Sequence, residues 1–136
     1  MDRLFLDANI LFSAAYRPDA GLLQLWKLKS ATLCSSRYAL EEARINLEDA
    51  SQRARLDKPS RVIHLTEATQ KALPPAISLP EKDVPILLAA IESCATHLLT
   101  GDVRHFGLYF DKKIEGVKIM LPGQYLRLQL SRHADD

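Results

Sequence analysis

The chain is poor in several things that would have pointed elsewhere. Among 136 residues there are only two cysteines, Cys34 and Cys94, without CxxC spacing. Both read as small buried hydrophobes rather than as a disulfide or a thiolate metal site. Glycine is scarce, five in all, and Gly101 stands alone, so there is no glycine-rich phosphate loop. No apolar run approaches the ~20 residues that cross a bilayer; the longest, residues 84–91, is far too short. Met1 is followed by Asp2, Arg3 and a strand-like run rather than by a basic region and a long apolar one, so no signal peptide is expected and the expected location is the cytoplasm. Charge of one sign is missing too: the net charge is +1, and any handling of RNA or DNA would need a local basic patch. The four histidines, His64, His97, His105 and His133, share no metal-ligand spacing. His97 reads as structural, and His105, close to Asp102, as a candidate for a substrate contact or a supporting role around it.

What is present is apolar and patterned. Hydrophobic residues make up 47% of the chain, enough for a core at this length, and a single domain over residues 1–130 is expected, with a frayed polar tail at 131–136. Strands are predicted over 3–8, 31–35, 61–65, 97–100 and 117–121, where short apolar runs meet turn residues. Helices are predicted over 21–29, 38–49, 51–58 (ended by Pro59), 67–73, 82–94, 103–108 and 122–130, with another opening at Asn9. Ser36 is a suitable cap for the helix predicted at 38–49, the one carrying Glu42. Pro85 falls in the first turn of the helix starting at residue 82, where its missing N–H costs nothing. Strand and helix alternate, which predicts an α/β fold of three layers, α/β/α, around a central parallel sheet.

In such sheets working residues gather past the carboxyl ends of the strands. Asp7 ends the first strand, Glu42 lies in the first turns after the second, Asp83 starts the helix at 82, and Asp102 follows the strand at 97–100. Each is explicable singly as a turn or cap residue, Asp83 most easily because the helix dipole favours a carboxylate there. Together they are expected to converge. Like charges ~4 Å apart repel by roughly 4 kcal/mol at an effective dielectric of 20, so a fold that gathers them calls for a counter-ion. Oxygen ligands suit Mg²⁺ or Mn²⁺.

The residues carrying this pattern resemble a known family. FLDANILFSA (5–14) looks like the opening motif of PIN-domain nucleases, SRYALEEARINL (36–47) like their second motif with its glutamate at Glu42, and EKDVPILLAAIESCATHLLTGDVRHFG (81–107) like their third and fourth, with Asp83 opening a helix and Asp102 in Thr-x-Asp. GVKIMLPGQYL (116–126) is similar to their closing strand and helix. Ala8 departs from the threonine often found there, which leaves the acidic set intact. The resemblance implies a PIN-like fold and a Mg²⁺- or Mn²⁺-dependent ribonuclease of the kind found as VapC-like toxins. Asp7, Glu42, Asp83 and Asp102 would form the metal and catalytic set, with Asn9 and Thr100 orienting ligands or phosphate. The implied products carry a 5′-phosphate and a 3′-hydroxyl, and the implied partners are RNA, a second copy of the chain and a small antitoxin.

Other features have plainer readings. Arg44, Arg53, Arg55, Lys58 and Arg61 form either a phosphate-steering surface or a solvated helix face. Lys112 and Lys113 make a second small basic spot. Trp26, with the large apolar side chains of 22–28 and 121–130, reads as core or subunit interface. A phosphate-receiving regulator also binds Mg²⁺ at strand ends, but it wants an acidic pair after the first strand and a lysine after the last. This chain has Asp7 and Asn9, and Met120-Leu121-Pro122. A PIN-like binding module without catalysis, and a DNA nuclease with the same metal site, are the remaining alternatives.

Overall fold

The computed structural model describes residues 1–134. It is an α/β fold with a mostly parallel six-stranded central sheet flanked by helices, a three-layer α/β/α arrangement. The strands are β1 (Asp2–Leu6), β2 (Ala31–Ser35), β3 (His64–Leu65), β4 (His97–Leu99), β5 (Lys113–Ile114) and β6 (Val117–Met120). The helices are α1 (Ala8–Tyr16), α2 (Arg37–Asn46), α3 (Ala50–Ser60), α4 (Val84–Glu92), α5 (Val103–Phe106) and α6 (Pro122–Ala134). Short 3₁₀ turns cover Gly21–Lys27, Glu81–Asp83 and Gly107–Tyr109. Among the described residues no helix is long and apolar enough to cross a membrane.

The order across the sheet is β3-β2-β1-β4-β6-β5. β1 is central, and Leu4, Phe5 and Leu6 are all fully buried, as a strand covered on both faces requires. From β1 the chain moves outward to β2 and β3, then crosses back to lay β4 on the other side of β1. The order therefore reverses between β1 and β4, and a crevice opens at their carboxyl ends, the place where open α/β sheets bind ligands. Leu6 pairs with Leu99 in register, which brings the next residues, Asp7 and Thr100, together at that crevice.

Several expectations are corrected. The first strand ends at Leu6 because Asp7 caps α1, its Oδ1 accepting from the Ala8 amide at 2.6 Å. The helix expected over 38–49 runs from Arg37 to Asn46 and ends at Leu47, and Asp49 forms a capping box with Gln52 that starts α3 at Ala50. α3 then runs past Lys58 to Ser60, with Pro59 inside its last turn. Residues 61–63 turn instead of extending β3, with the Ile63 amide bonded to the Ser60 carbonyl. No helix forms at 67–73, where side chains compete for the backbone: Glu67 accepts from the Arg37 amide and Glu92 from the amide and hydroxyl of Thr69. Residues 21–27 are a 3₁₀ turn. The helix expected to stop near residue 130 continues through Ala134; residues 135–136 lie outside the described residues.

The sheet is also not wholly parallel. β5 pairs antiparallel with β6 through a two-residue turn at Glu115 and Gly116, with φ of 50° and 86°. Two positive φ angles in succession match the right-handed strand twist, and glycine takes the second without strain. Cys34 is buried, but Cys94 is exposed. Cys94 occupies the left-handed position after α4, with φ 58°. Its amide bonds to Ile91 and that of Ala95 to Ala90, which is a Schellman ending that turns the side chain outward.

The basic surface on α3 is largely committed to structure. Arg55 donates to the Ala15 and Tyr16 carbonyls at the end of α1, at 3.0 and 2.9 Å, and Arg53 to the Leu47 carbonyl at 3.0 Å. Those carbonyls have no partner within their own helices, and the guanidinium groups serve them. Leu25 is buried, and Leu22, Trp26 and Leu28 pack on the core, so 22–28 is not an exposed apolar stripe. On α6 the exposed large apolar side chains among the described residues are Leu128 and Leu130.

Candidate functional site

A cleft of about 600 Å³ sits at the β1–β4 crevice, and Asp7, Glu42, Asp83 and Asp102 all line it, with Asn9, Tyr38, Lys82 and Gly101. Its parts come from four segments, and the local reason for each differs.

Asp7 is held most completely. It is 4% exposed. Its Oδ2 accepts from the Thr100 hydroxyl at 2.7 Å and the Asn9 amide at 3.1 Å. Thr100 Oγ1 in turn accepts from the Asp102 amide at 3.1 Å, so its single proton is committed to Asp7. Asn9 Oδ1 accepts from the Gly101 amide at 2.8 Å. Asn9 and Thr100 thus tie the loop after β4 to the start of α1. Burial pushes the Asp7 carboxyl above its ordinary value; the donors from Thr100, Ala8 and Asn9 pull against that, and the nearby charge of Asp83 adds to it.

Asp83 occupies the cap position of α4 but makes no capping hydrogen bond. This is the observation that separates it from an ordinary helix start. The residue is 7% exposed, and its Oδ2 has no hydrogen-bond partner. Burial raises its carboxyl above the ordinary value; His105 works against this and Asp102 adds to it. The turn that carries it is pinned from across the cleft, because the Tyr38 hydroxyl on α2 donates to the Lys82 carbonyl at 2.6 Å.

Asp102 caps α5 with Oδ1, accepting from the His105 amide at 3.1 Å, and turns Oδ2 the other way. His105 Nδ1 lies 2.8 Å from Asp102 Oδ2 and 2.8 Å from Asp83 Oδ2. Neither contact has the alignment of a hydrogen bond, and Nδ1 is itself buried without one. Ligand atoms of Asp83, Asp102 and His105 lie within 4.8 Å of one another, a grouping that could hold a metal ion. Glu42 is half-buried on the cleft wall contributed by α2, and Asp7 stands behind the trio; neither belongs to that close group.

The sequence reading placed the four carboxylates on one edge, and all four line one cleft, with Asp83 and Asp102 close together and Glu42 on the wall from α2. It underrated His105, which meets the acidic pair directly. The available signal was the spacing of three between Asp102 and His105, which a single helical turn brings to one side. Tyr38 was also passed over, although it sits four residues before Glu42 on the same helix face. Its hydroxyl is pushed up by burial and by Glu42, Asp83, Asp7 and Glu81, so it stays a neutral donor to the Lys82 carbonyl.

These shifts carry a sign for stability. Asp7 and Asp83 bind protons more tightly folded than unfolded, so the native state is favoured by protonation. That stability is present below the ordinary aspartate value of 3.8 and is lost as pH rises through the raised native values. In EDTA, the melting temperature of the wild type is expected to fall more, as pH rises from the ordinary aspartate value of 3.8 towards neutrality, than that of Asp83→Asn, which lacks one of the two groups. Parallel profiles for the two proteins would show that Asp83 carries no such penalty.

The sequence matches no known protein-family model and no curated protein, so the functional reading of this chain stands on its own residues and on the geometry of this cleft.

Proposed function

We propose that this protein is a Mg²⁺- or Mn²⁺-dependent endoribonuclease of the PIN type, acting as the toxin of a toxin–antitoxin pair. The observation that carries the reading is Asp83: a buried carboxylate at a helix start that makes no capping bond and whose Oδ2, without an aligned hydrogen bond, sits 2.8 Å from His105 Nδ1 and beside Asp102. Burying such an oxygen beside a second carboxylate is unfavourable without a cation to face it. The donor set fits a divalent ion, with Asp83 and Asp102 as direct ligands and Asp7 and Glu42 in reach of its water or of the substrate. A cation held there supplies Lewis acidity toward a phosphoryl oxygen and a water of lowered pKa.

The chain's own groups do the rest. Thr100 and Asn9 donate to Asp7 and aim its carboxyl group in one direction. Tyr38 holds the Lys82–Asp83 turn at a set distance from α2, and Lys82 offers a positive charge at the rim of an otherwise acidic cleft. The toxin reading also carries a homodimer, which would use Leu128 and Leu130 on α6, and an antitoxin segment whose cationic side chain enters the cleft.

The direct test is cleavage of a single-stranded RNA by the purified protein. Cutting is expected with Mn²⁺ or Mg²⁺ and none in EDTA. No cutting with any divalent ion would sink the reading, and equal cutting of single-stranded DNA would move it to a DNA nuclease. Sedimentation at micromolar concentration is expected to show a dimer; only monomer would remove that part.

A further inference from the structure

The metal reading above accounts for the carboxylates but leaves His105 unused, and the position of that ring is specific. Nδ1 lies at 2.8 Å from an oxygen of each of two aspartates, is shielded from solvent, and satisfies neither as a hydrogen-bond donor. A ring placed merely to bridge two acids would align its N–H with one of them. Equal short separations instead match the edges of a coordination shell: ligand bonds of ~2.0–2.2 Å in octahedral geometry put neighbouring ligand atoms ~2.8–3.1 Å apart. Asp102 and His105 are also fixed relative to each other by the backbone, because the His105 amide bonds to Asp102 Oδ1. The remaining Asp102 oxygen and the ring nitrogen therefore face the same point. Asp83 brings its unpartnered oxygen to that point from another element and is itself more than nine-tenths buried.

We infer that His105 Nδ1 is a nitrogen ligand, completing with Asp83 and Asp102 a mixed nitrogen–oxygen site that selects a first-row transition ion such as Mn²⁺ over Mg²⁺. This rests on the metal-dependent reading and narrows it. Mg²⁺ takes oxygen ligands and gives up its water reluctantly, whereas imidazole suits the transition ions, with affinity rising from Mn²⁺ through Co²⁺. An all-carboxylate site has no such reason to discriminate. The side chain of His105 is partly exposed at its outer edge, so its replacement leaves the core in place.

The test uses the metals alone, on the full chain without RNA. Calorimetric titration is expected to give Mn²⁺ an affinity at least about tenfold above that of Mg²⁺. His105→Gln is expected to cost Mn²⁺ roughly tenfold or more while changing Mg²⁺ much less. On the wild type, pulsed electron paramagnetic resonance of bound Mn²⁺ should show the nitrogen coupling of a directly bound imidazole, a readout that needs no variant. Bound Mn²⁺ without nitrogen coupling, or equal Mn²⁺ affinity in wild type and His105→Gln, overturns the inference and leaves His105 as an ion-pair partner of the two acids. The nuclease reading fails separately: a nitrogen-coupled Mn²⁺ in a protein that cuts no RNA keeps the site and removes the proposed activity. RNA cleavage with an uncoupled metal does the reverse.

Discussion

Asp83→Asn should lower Mn²⁺-supported RNA cleavage by about 10²–10³ while the protein stays folded. The expected loss corresponds to ~3–4 kcal/mol of transition-state stabilisation, the scale on which one well-placed electrostatic contact acts in a site shielded from water. Asparagine keeps the shape of the side chain and removes the charge that faces Asp102 and His105. Because Asp83 makes no capping hydrogen bond, the start of α4 loses no hydrogen bond by the change. Burial and Asp102 already work against its ionised form, so the metal-free variant should melt at the same temperature as the wild type or a few degrees higher at neutral pH. Cleavage rate and thermal melting in EDTA, measured side by side, decide the matter. An unfolded variant, or one that cuts RNA at the wild-type rate, would return Asp83 to the role of an ordinary helix start.

Phe106→Ala should be the most damaging single change to stability near the cleft, at about 3–5 kcal/mol. α5 is one turn long, too short to hold itself by backbone hydrogen bonds, and Phe106 is the residue by which it is anchored, fully buried in the core. Asp102 caps that turn and His105 lies within it, so the anchor also sets where both groups point. Against the 5–15 kcal/mol typical of a domain, the loss should lower the melting temperature by roughly 10–20 °C. At a temperature where the variant is still folded, its Mn²⁺ affinity should fall as well. Melting within about two degrees of wild type would show that α5 is held by something other than this ring.

The elements that could be read from the chain were those whose cause is local. β2 was legible as 31–35 because a short apolar run meets two serines, and Ser36 caps α2 as its residue type suggested, accepting from the Ala39 amide at 3.1 Å. The capping box at Asp49, by contrast, had its signal in Gln52 three residues later and was missed because the helical composition continues across it. The absent helix at 67–73 was illegible for another reason. Its polar groups are taken by Arg37 and Glu92, partners 30 and 23 residues away, and no local pattern reports such competition.

For the cleft, the sequence by itself determined the chemistry on offer: acidic residues placed just past strands and at helix starts, with Asn9, Thr100 and His105 close by in the chain. Backbone alternation alone was enough to send those residues to one edge of a sheet, since strand ends and helix starts lie there in any α/β layering. Only the tertiary structure decided which of them meet. The reversal of strand order between β1 and β4 sets Asp7 beside Thr100, and the packing of α4 against β4 brings Asp83 to the turn bearing Asp102 and His105. Strand order depends on how buried faces pair across tens of residues, and the final approach to 2.8 Å depends on a single anchored turn. Neither is written in the spacing of residues along the chain, because both are settled by burial and steric fit between segments that are distant in sequence.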